Sequence, residues 1–266
     1  MPFIQLPDGK LHYQLEGPQG APVMLLSNSL GTDLRMWDSQ MPMFTRHFQV
    51  LRYDTRGHGQ SLVTDGSYSI EQNGRDVLAL LDALQLPSVH FCGLSMGGLI
   101  GQWLAINAAP RLQRVVLCNT AAKIGTAQVW NPRIEMVLRD GTAAMQALRE
   151  ASIARWFTAP FAEAAPQQVE PIVAMLARTS PQGYAANCAA VRDADFRQQI
   201  SAIRQPVLVV CGSHDAVTTP ADGQFLAEHI EGAEYVEFHA AHLSSVEAGN
   251  AFGERIVTFL HARTGA

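Results

Sequence analysis

The chain is 266 residues long, a length that one large domain or two small ones could fill. Apolar residues make up 47% of it and charged residues 16%, against about 25% charged residues in an average soluble protein. This composition excludes intrinsic disorder, which requires low hydrophobicity, and a coiled coil, which is rich in Glu, Lys and Arg. Because the net charge is −5, we expect no nucleic-acid partner, and an anionic substrate would need cationic side chains placed locally around it.

The cysteines and the N-terminus bear on the cellular compartment. The four cysteines lack the paired spacing of metal sites, and Cys92, Cys118 and Cys211 lie in apolar runs, so we expect buried, reduced thiols. The first residues have neither the basic nor the apolar region of a signal peptide, and no apolar run approaches the roughly 18 residues of a membrane span. The sequence therefore predicts a cytoplasmic protein that contacts no membrane.

Short apolar and β-branched runs predict strands along the chain. The first two flank Asp8-Gly9, a pair of residues typical of a hairpin turn. The third, Val23–Leu26, is an unbroken apolar run of the kind found in strands buried on both faces. The predicted strands are Phe3–Leu6, Leu11–Leu15, Val23–Leu26, Gln49–Tyr53, Val89–Cys92, Val115–Cys118, Val207–Cys211 and Tyr235–Phe238.

Helical patterns alternate with these strands. In the clearest of them, Ile70–Leu84, the apolar residues recur at helical spacing on one face. The others are Leu99–Ala108, Ala221–Ile230 and Phe252–Leu260. Strands that alternate with helices predict an α/β fold, with a mostly parallel sheet covered by helices on both faces.

Residues 124–203, called the cap segment below, break this alternation. They contain only helical patterns, which are interrupted by Pro132, Pro160, Pro166, Pro171 and Pro181. We predict a helical cap, or lid, inserted into a core domain made of residues 1–123 and 204–266. The alternative is an ordinary helical excursion at one edge of the sheet.

The pentapeptide Gly93-Leu94-Ser95-Met96-Gly97 directly follows a predicted strand and precedes a predicted helix. G-x-S-x-G in this context is typical of a serine nucleophile held on a sharp turn, where glycines permit the strained backbone. The helix N-terminus directs free amides and the positive end of its dipole towards developing negative charge. We predict that Ser95 is a nucleophile and that the Met96 backbone N–H is one oxyanion donor.

A serine nucleophile needs a histidine to accept its proton and an acid to orient that histidine. In proteins with this turn, the acid and then the histidine follow the serine in the chain. Asp215 comes just after a buried predicted strand, at the sheet edge where α/β sites lie, whereas Asp222 falls within a helical pattern. His242 lies in a loop and is favoured over His239, which ends a strand. The predicted triad is Ser95, Asp215 and His242.

This chemistry requires no metal and no organic cofactor. A metal cluster is the alternative interpretation of His214, Asp215, His239 and His242. It is disfavoured because His-x-x-His on a loop has no fixed geometry, and because it leaves the turn at Ser95 unexplained.

The second oxyanion donor is expected in the loop after Val23–Leu26. The candidate is the backbone N–H of Leu30, within Ser27-Asn28-Ser29-Leu30-Gly31. A second glycine-rich turn, Asp54–Ser61, resembles a mainly structural stretch of α/β-hydrolases. We therefore do not expect His58 to be catalytic.

The order of the predicted triad, with a helical insertion before the acid, resembles an α/β-hydrolase with a cap. Further stretches resemble the 3-oxoadipate enol-lactonases of the β-ketoadipate pathway, and they are residues 27–37, 91–98, 117–125, 130–134 and 155–158. The resemblance covers nearly the whole chain. Its specificity comes from the stretches around Trp130 and Arg155 and from Asn28-Ser29, which stands where His-Gly is common in the superfamily. It implies a serine hydrolase of aromatic-compound catabolism whose small-molecule substrate is a five-membered enol-lactone bearing a carboxylate.

The implied carboxylate should be bound by an arginine, whose planar fork matches it in a bidentate way. The candidate is Arg133, three residues after Trp130, among the cap arginines Arg133, Arg139, Arg149, Arg155, Arg178 and Arg192. Trp130 and Trp156 either line the substrate pocket or pack the cap segment onto the core.

Other functions remain open at this point. A general carboxylesterase, or a cofactor-free perhydrolase or haloperoxidase, would carry the same triad. Outside the enzymes, a small-molecule receptor can be built on the same fold, since fold alone does not define function.

Overall fold

The strands predicted from apolar runs form one sheet in the computed structural model, which describes residues 2–262. Strands β2 and β6 begin two and three residues earlier than predicted, because their first residues include Lys10, Gln113 and Arg114, which an apolar pattern leaves out. The strands are β1 Phe3–Leu6, β2 Gly9–Glu16, β3 Val23–Ser27, β4 Gln49–Tyr53, β5 Val89–Leu94, β6 Leu112–Cys118, β7 Val207–Gly212 and β8 Glu234–Phe238.

The sheet is mostly parallel, in the order β1-β2-β4-β3-β5-β6-β7-β8. Only β1–β2 and β2–β4 pair antiparallel in the part of the chain that the structure describes. Every residue of β5 and β7 is buried, because helices cover both faces of the central strands. The predicted α/β fold class is confirmed.

The helices follow the predicted alternation. Helix α3 begins at Met96, three residues before the predicted start at Leu99. The pattern left out Gly97 and Gly98 because glycine has a low helix propensity. Glycine is required there for reasons of space, since an added Cβ at Gly97 would lie 2.3 Å from the Ser27 carbonyl oxygen. The helices are α1 Met41–Phe44, α2 Ile70–Ala83, α3 Met96–Asn107, α4 Ala127–Asp140, α5 Thr142–Trp156, α6 Ala159–Ala164, α7 Pro166–Arg178, α8 Pro181–Asp193, α9 Pro220–His229, α10 Ser244–Glu247 and α11 Gly249–His261. Within residues 2–262, three short 3-10 helices cover Leu34–Trp37, Ala109–Arg111 and Ile200–Ala202.

The cap segment contains helices α4 to α8, between β6 and β7. The sequence pattern predicted that the prolines of the cap segment interrupt its helices, but three of these five prolines lie at helix starts. Pro160, Pro166 and Pro181 lie in the first turns of helices, where a missing N–H costs nothing, while Pro132 and Pro171 lie inside α4 and α7. Helix α4 packs on α8, and α5 packs on α7.

Two further observations bear on the sequence analysis. All four cysteines are free and buried, as expected, although only Cys92, Cys118 and Cys211 lie in apolar runs. No helix within residues 2–262 is both long enough and apolar enough to cross a membrane.

Candidate active site

Ser95 lies on a sharp turn between β5 and α3. Its backbone has φ +58° and ψ −112°, a strained conformation that non-glycine residues rarely adopt. The flanking glycines are required by space, since a Cβ at Gly93 would lie 2.3 Å from the Gly97 carbonyl oxygen. The turn is held against the end of β6: the Ser95 N–H donates to the Cys118 carbonyl oxygen at 2.9 Å, and the Ser95 carbonyl oxygen accepts from Thr120 Oγ1 at 2.8 Å.

The three residues of the predicted triad form a chain of hydrogen bonds. His242 Nε2 lies 3.0 Å from Ser95 Oγ, and His242 Nδ1 lies 2.8 Å from Asp215 Oδ2. All three side chains are buried. Asp215 follows β7 and His242 lies in the loop after β8, so the fold brings them together at the carboxyl edge of the sheet. This arrangement can activate a serine hydroxyl as a nucleophile.

Asp215 remains ionised in its buried position. Burial acts to raise its pKa, but the charge of His242 and hydrogen bonds from His242, Asn119 and Thr218 outweigh burial and lower the pKa to about 2. The Val217 and Thr218 amides donate to Oδ1 at 2.8 and 3.0 Å, and Thr218 Oγ1 donates to Oδ2 at 2.9 Å. The carboxylate is therefore fixed in orientation as well as in charge.

The rival acid and rival histidine occupy other positions. Asp222 caps helix α9, where its carboxylate accepts from the Thr219 amide and hydroxyl. His239 is exposed, and its ring packs edge-on against that of His214 at 4.4 Å between centroids.

Asn119 is a site residue that the sequence reasoning missed. It directly follows β6 and adopts φ +43°. Its side-chain amide donates to Asp215 Oδ2 at 3.0 Å and to the Ala241 carbonyl oxygen at 3.2 Å, and its Oδ1 accepts from Ser244 Oγ. Asn119 thus links the acid to the loop of His242. The available signal was an asparagine at the carboxyl end of a buried strand, since asparagine tolerates the left-handed conformation.

Leu30 lines the same cavity as Ser95, and Met96 follows Ser95 directly in the chain. Met96 is the first residue of α3, so its N–H has no acceptor four residues earlier in the helix. The Leu30 N–H makes no hydrogen bond to another residue of the range 2–262. Free amides at this place can stabilise a negatively charged oxygen.

The Asn28-Ser29 pair replaces His-Gly without straining the loop. Asn28 Nδ2 donates to the Tyr53 carbonyl oxygen at 2.7 Å, and its Oδ1 accepts from Trp37 Nε1 at 3.0 Å. Positive φ is restricted among the described non-glycine residues to Gln85, Ser95 and Asn119, so Ser29 needs no glycine-like conformation.

His58, in the second glycine-rich turn, contacts the loop that contains Leu30. Its Nε2 accepts a hydrogen bond from the Gly31 N–H at 2.8 Å.

A cavity between the sheet edge and the cap segment contains Ser95 and His242. Most of its other lining is apolar or aromatic, and two arginines reach it from the cap segment. The lining consists of Ser29, Leu30, Ser95, Ile124, Trp130, Arg133, Ser152, Arg155, Trp156, Tyr184, Val191, Val217 and His242. None of these residues is acidic.

Arg133 and Arg155 are the cap arginines in this cavity, and neither belongs to the ion pairs formed among residues 2–262. Burial and the charge of Arg133 lower the pKa of Arg155, whose Nε is buried without a hydrogen-bond partner in the described structure. The Arg133 guanidinium lies 5.1 Å from the centroid of the Trp130 ring, and Trp130 Nε1 donates to the Ile124 carbonyl oxygen at 2.7 Å. A carboxylate would match this pair of unpaired cations.

The remaining arginines of the cap segment do not line this cavity. Arg139, Arg149, Arg192 and Arg197 form ion pairs with Asp140, Glu170, Asp193 and Asp195. Arg178 lines surface clefts that do not contain Ser95.

Comparisons with known proteins agree with this fold and site. The model of the alpha/beta hydrolase fold family matches residues 22–248, and the chain belongs to that family.

Within the family, the chain is similar to enol-lactonases. It is 46% identical to 3-oxoadipate enol-lactonase 2 of Acinetobacter baylyi over 249 residues. The matched region covers 94% of this chain and 92% of that relative. It is 41% identical to 3-oxoadipate enol-lactonase 1 of the same organism, over 91% of this chain and 90% of that one. The crystal structure of the enol-lactonase from Burkholderia xenovorans matches with a TM-score of 0.95 and 46% identity, over 98% of this chain and 100% of that chain. The resemblance inferred from the sequence is confirmed.

Proposed function

We propose that this protein is a serine hydrolase that opens the lactone ring of 3-oxoadipate enol-lactone to give 3-oxoadipate, in the catabolism of aromatic compounds. The proposal rests on two arginines, Arg133 and Arg155, which line the cavity of Ser95 and have no carboxylate partner among residues 2–262. In a chain with a net charge of −5, such a pair is expected where the substrate is an anion. The names of the two curated relatives support the particular lactone.

In the first half of the proposed reaction, Ser95 attacks the lactone carbonyl carbon. Its proton passes to His242 Nε2, which lies 3.0 Å from Ser95 Oγ, and Asp215 stabilises the resulting imidazolium. The Leu30 and Met96 amides hold the negative charge of the tetrahedral oxygen. The ring C–O bond then breaks, and the enol oxygen takes the proton from His242.

In the second half, water hydrolyses the ester formed with Ser95. The released enol stays tethered to the acyl group, so ring closure competes with hydrolysis until the enol tautomerises to the ketone. His242 takes a proton from water, the hydroxide attacks the acyl carbon, and the proton is returned to Ser95 as the bond to its oxygen breaks. The triad supplies the proton transfers of ring opening and of acyl-enzyme hydrolysis, so these two steps require no metal or organic cofactor.

The cap segment would provide substrate recognition. We assign residues 124–203 to a cap over the core domain, with Arg133 and Arg155 binding the substrate carboxylate and Trp130 and Trp156 forming apolar walls. Four free buried thiols support a cytoplasmic location, since reducing compartments keep cysteines unpaired.

The test is an assay of the purified protein with 3-oxoadipate enol-lactone, followed as loss of its ultraviolet absorbance, with Ser95→Ala as the blank. We expect turnover by the wild type only. Fast hydrolysis of p-nitrophenyl acetate with no lactone turnover would favour the general esterase. Lactone binding with negligible turnover of either substrate would favour the receptor and contradict the enzyme.

A further inference from the structure

Both chain neighbours of His242 are held by hydrogen bonds that involve other segments. The Ala241 N–H donates to Glu247 Oε2 at 2.9 Å, and the Leu243 N–H donates to the Trp156 carbonyl oxygen at 3.0 Å. Trp156 is the last residue of α5 and lines the cavity of Ser95. The loop of the catalytic histidine is therefore attached to the cap segment directly on one side.

Glu247 also links Ala241, the residue before His242, to the cap segment. Its Oε2 also accepts from the Thr158 N–H at 3.2 Å, and its Oε1 accepts from the Thr158 hydroxyl. Thr158 lies at the junction of α5 and α6, two residues after Trp156. One carboxylate thus joins the junction of two cap helices to the amide that precedes His242.

The chemistry of this position requires a side chain that accepts several hydrogen bonds. Two amides and one hydroxyl converge on Glu247, and an ionised carboxylate accepts from all three without a hydrogen of its own. Glu247 is also the last residue of the one-turn helix α10. The contacts with Thr158 and Ala241 account for an acid here.

We propose that Glu247 is a positioning residue that couples the cap junction Trp156–Thr158 to the loop of His242. In this arrangement the cap segment supports the histidine at this junction and does not move independently of it. The coupling rests on the proposed function only in that Ser95 and His242 perform the chemistry.

The first test compares Glu247→Ala with Glu247→Gln, and uses Glu254→Ala, on the exposed face of α11, as the matched control. Glu247→Ala removes these contacts and frees the loop of His242. It should lower kcat about 50-fold, because misplacement of a catalytic group by about 1 Å can lower the rate about 100-fold. KM should change less than about threefold. Glu247→Gln should stay within about fivefold of wild type, because its amide oxygen still accepts from the two backbone amides and its NH2 can donate to the Thr158 hydroxyl.

The second measurement is the rate of Ser95 labelling by a fluorophosphonate, which requires Ser95 and His242 but no lactone. It should fall by the same factor as kcat in Glu247→Ala. If the wild type reacts with the fluorophosphonate but leaves the lactone intact, the proposed substrate is wrong and Glu247 is still judged by the labelling rates.

Coupling to the cap is tested with Thr158→Val, which removes the hydroxyl, against Thr158→Ser, which keeps it. Thr158→Val should slow labelling several-fold, Thr158→Ser should not, and the effects of Thr158→Val and Glu247→Ala should not add, because both act on one contact. The Thr158 pair carries the test alone if Glu247→Ala does not fold. Unchanged kcat and labelling rates in Glu247→Ala or Thr158→Val, with only a lower Tm, would overturn the proposal.

Discussion

The sheet edge and the cap segment hold their site residues in different ways. At the sheet edge, Ser95 and Asn119 directly follow strands and Asp215 lies three residues after the end of β7, and each is fixed by hydrogen bonds of 2.8 to 3.0 Å. In the cap segment, Arg133 and Arg155 extend from helices, with a ring contact at 5.1 Å and one hydrogen bond to Ser152 at 3.2 Å as their main supports. We therefore propose that the backbone of the core positions the catalytic groups, while long side chains of the cap segment select the substrate. Substitutions in the two regions should therefore have different kinetic effects.

The largest expected effect in the core is that of His242→Gln. Loss of the base should lower kcat/KM about 10⁴-fold on the lactone and on neutral esters alike, because both need a deprotonated Ser95. His239→Gln is the matched control and should retain wild-type rates. Steady-state kinetics on both substrates check this, and a larger loss from His239→Gln would reverse the assignment of the base.

A smaller core effect is expected from Asn119→Ala. The variant removes the amide that joins Asp215 to the loop of His242, so kcat should fall about 30-fold at nearly constant KM. Asn107→Ala, at an exposed position at the end of α3, serves as the control. A change confined to KM would show that Asn119 acts on binding and not on the triad.

In the cap, Arg155→Ala and Arg133→Ala should raise KM for the carboxylate-bearing lactone about 10- to 30-fold each, the range of a hydrogen bond to a charged group. Hydrolysis of p-nitrophenyl acetate should stay within about twofold of wild type. The control is Arg139→Ala, whose guanidinium pairs with Asp140 at the surface. Equal losses on both substrates would remove these arginines from carboxylate binding.

The smallest effect concerns the pH dependence of stability. The folded pKa of Asp215 is about 2, below its ordinary value of 3.8, so the ionised form stabilises the fold above pH 4 and this contribution is lost as the pH falls towards 2. Between pH 6 and 2.5, wild type should lose about 1.5 kcal/mol more unfolding free energy than Asp215→Asn. Urea denaturation at the two pH values measures the difference, and equal losses would refute the low pKa.

The sequence predicted the core better than the cap for a physical reason. Strand ends of a parallel sheet meet at one edge, so apolar runs and turn residues were enough to place Ser95, Asp215 and His242 near each other. In contrast, which of the seven arginines in the cap segment line the cavity depends on how α4 and α5 pack, so Arg133 was selected and Arg155 was not.

The residues that the sequence analysis did not identify act through distant backbone groups. Asn119 contacts the Ala241 carbonyl oxygen across 122 positions, and Glu247 contacts Thr158 across 89 positions. Neither contact leaves a periodic pattern or a motif in the sequence. Both become visible only when the loop of His242 is seen between the core and the cap segment.

The central claim is that the cap segment selects a lactone by its carboxylate. The most direct test compares kcat/KM of the wild type for 3-oxoadipate enol-lactone with that for its methyl ester, in which the lactone ring is unchanged and the charge is removed. Two charged hydrogen-bond partners predict a preference for the free acid of about 100-fold or more, with the difference reduced below about tenfold in the Arg133→Ala, Arg155→Ala double variant. Equal rates for the acid and the methyl ester in the wild type would contradict the account.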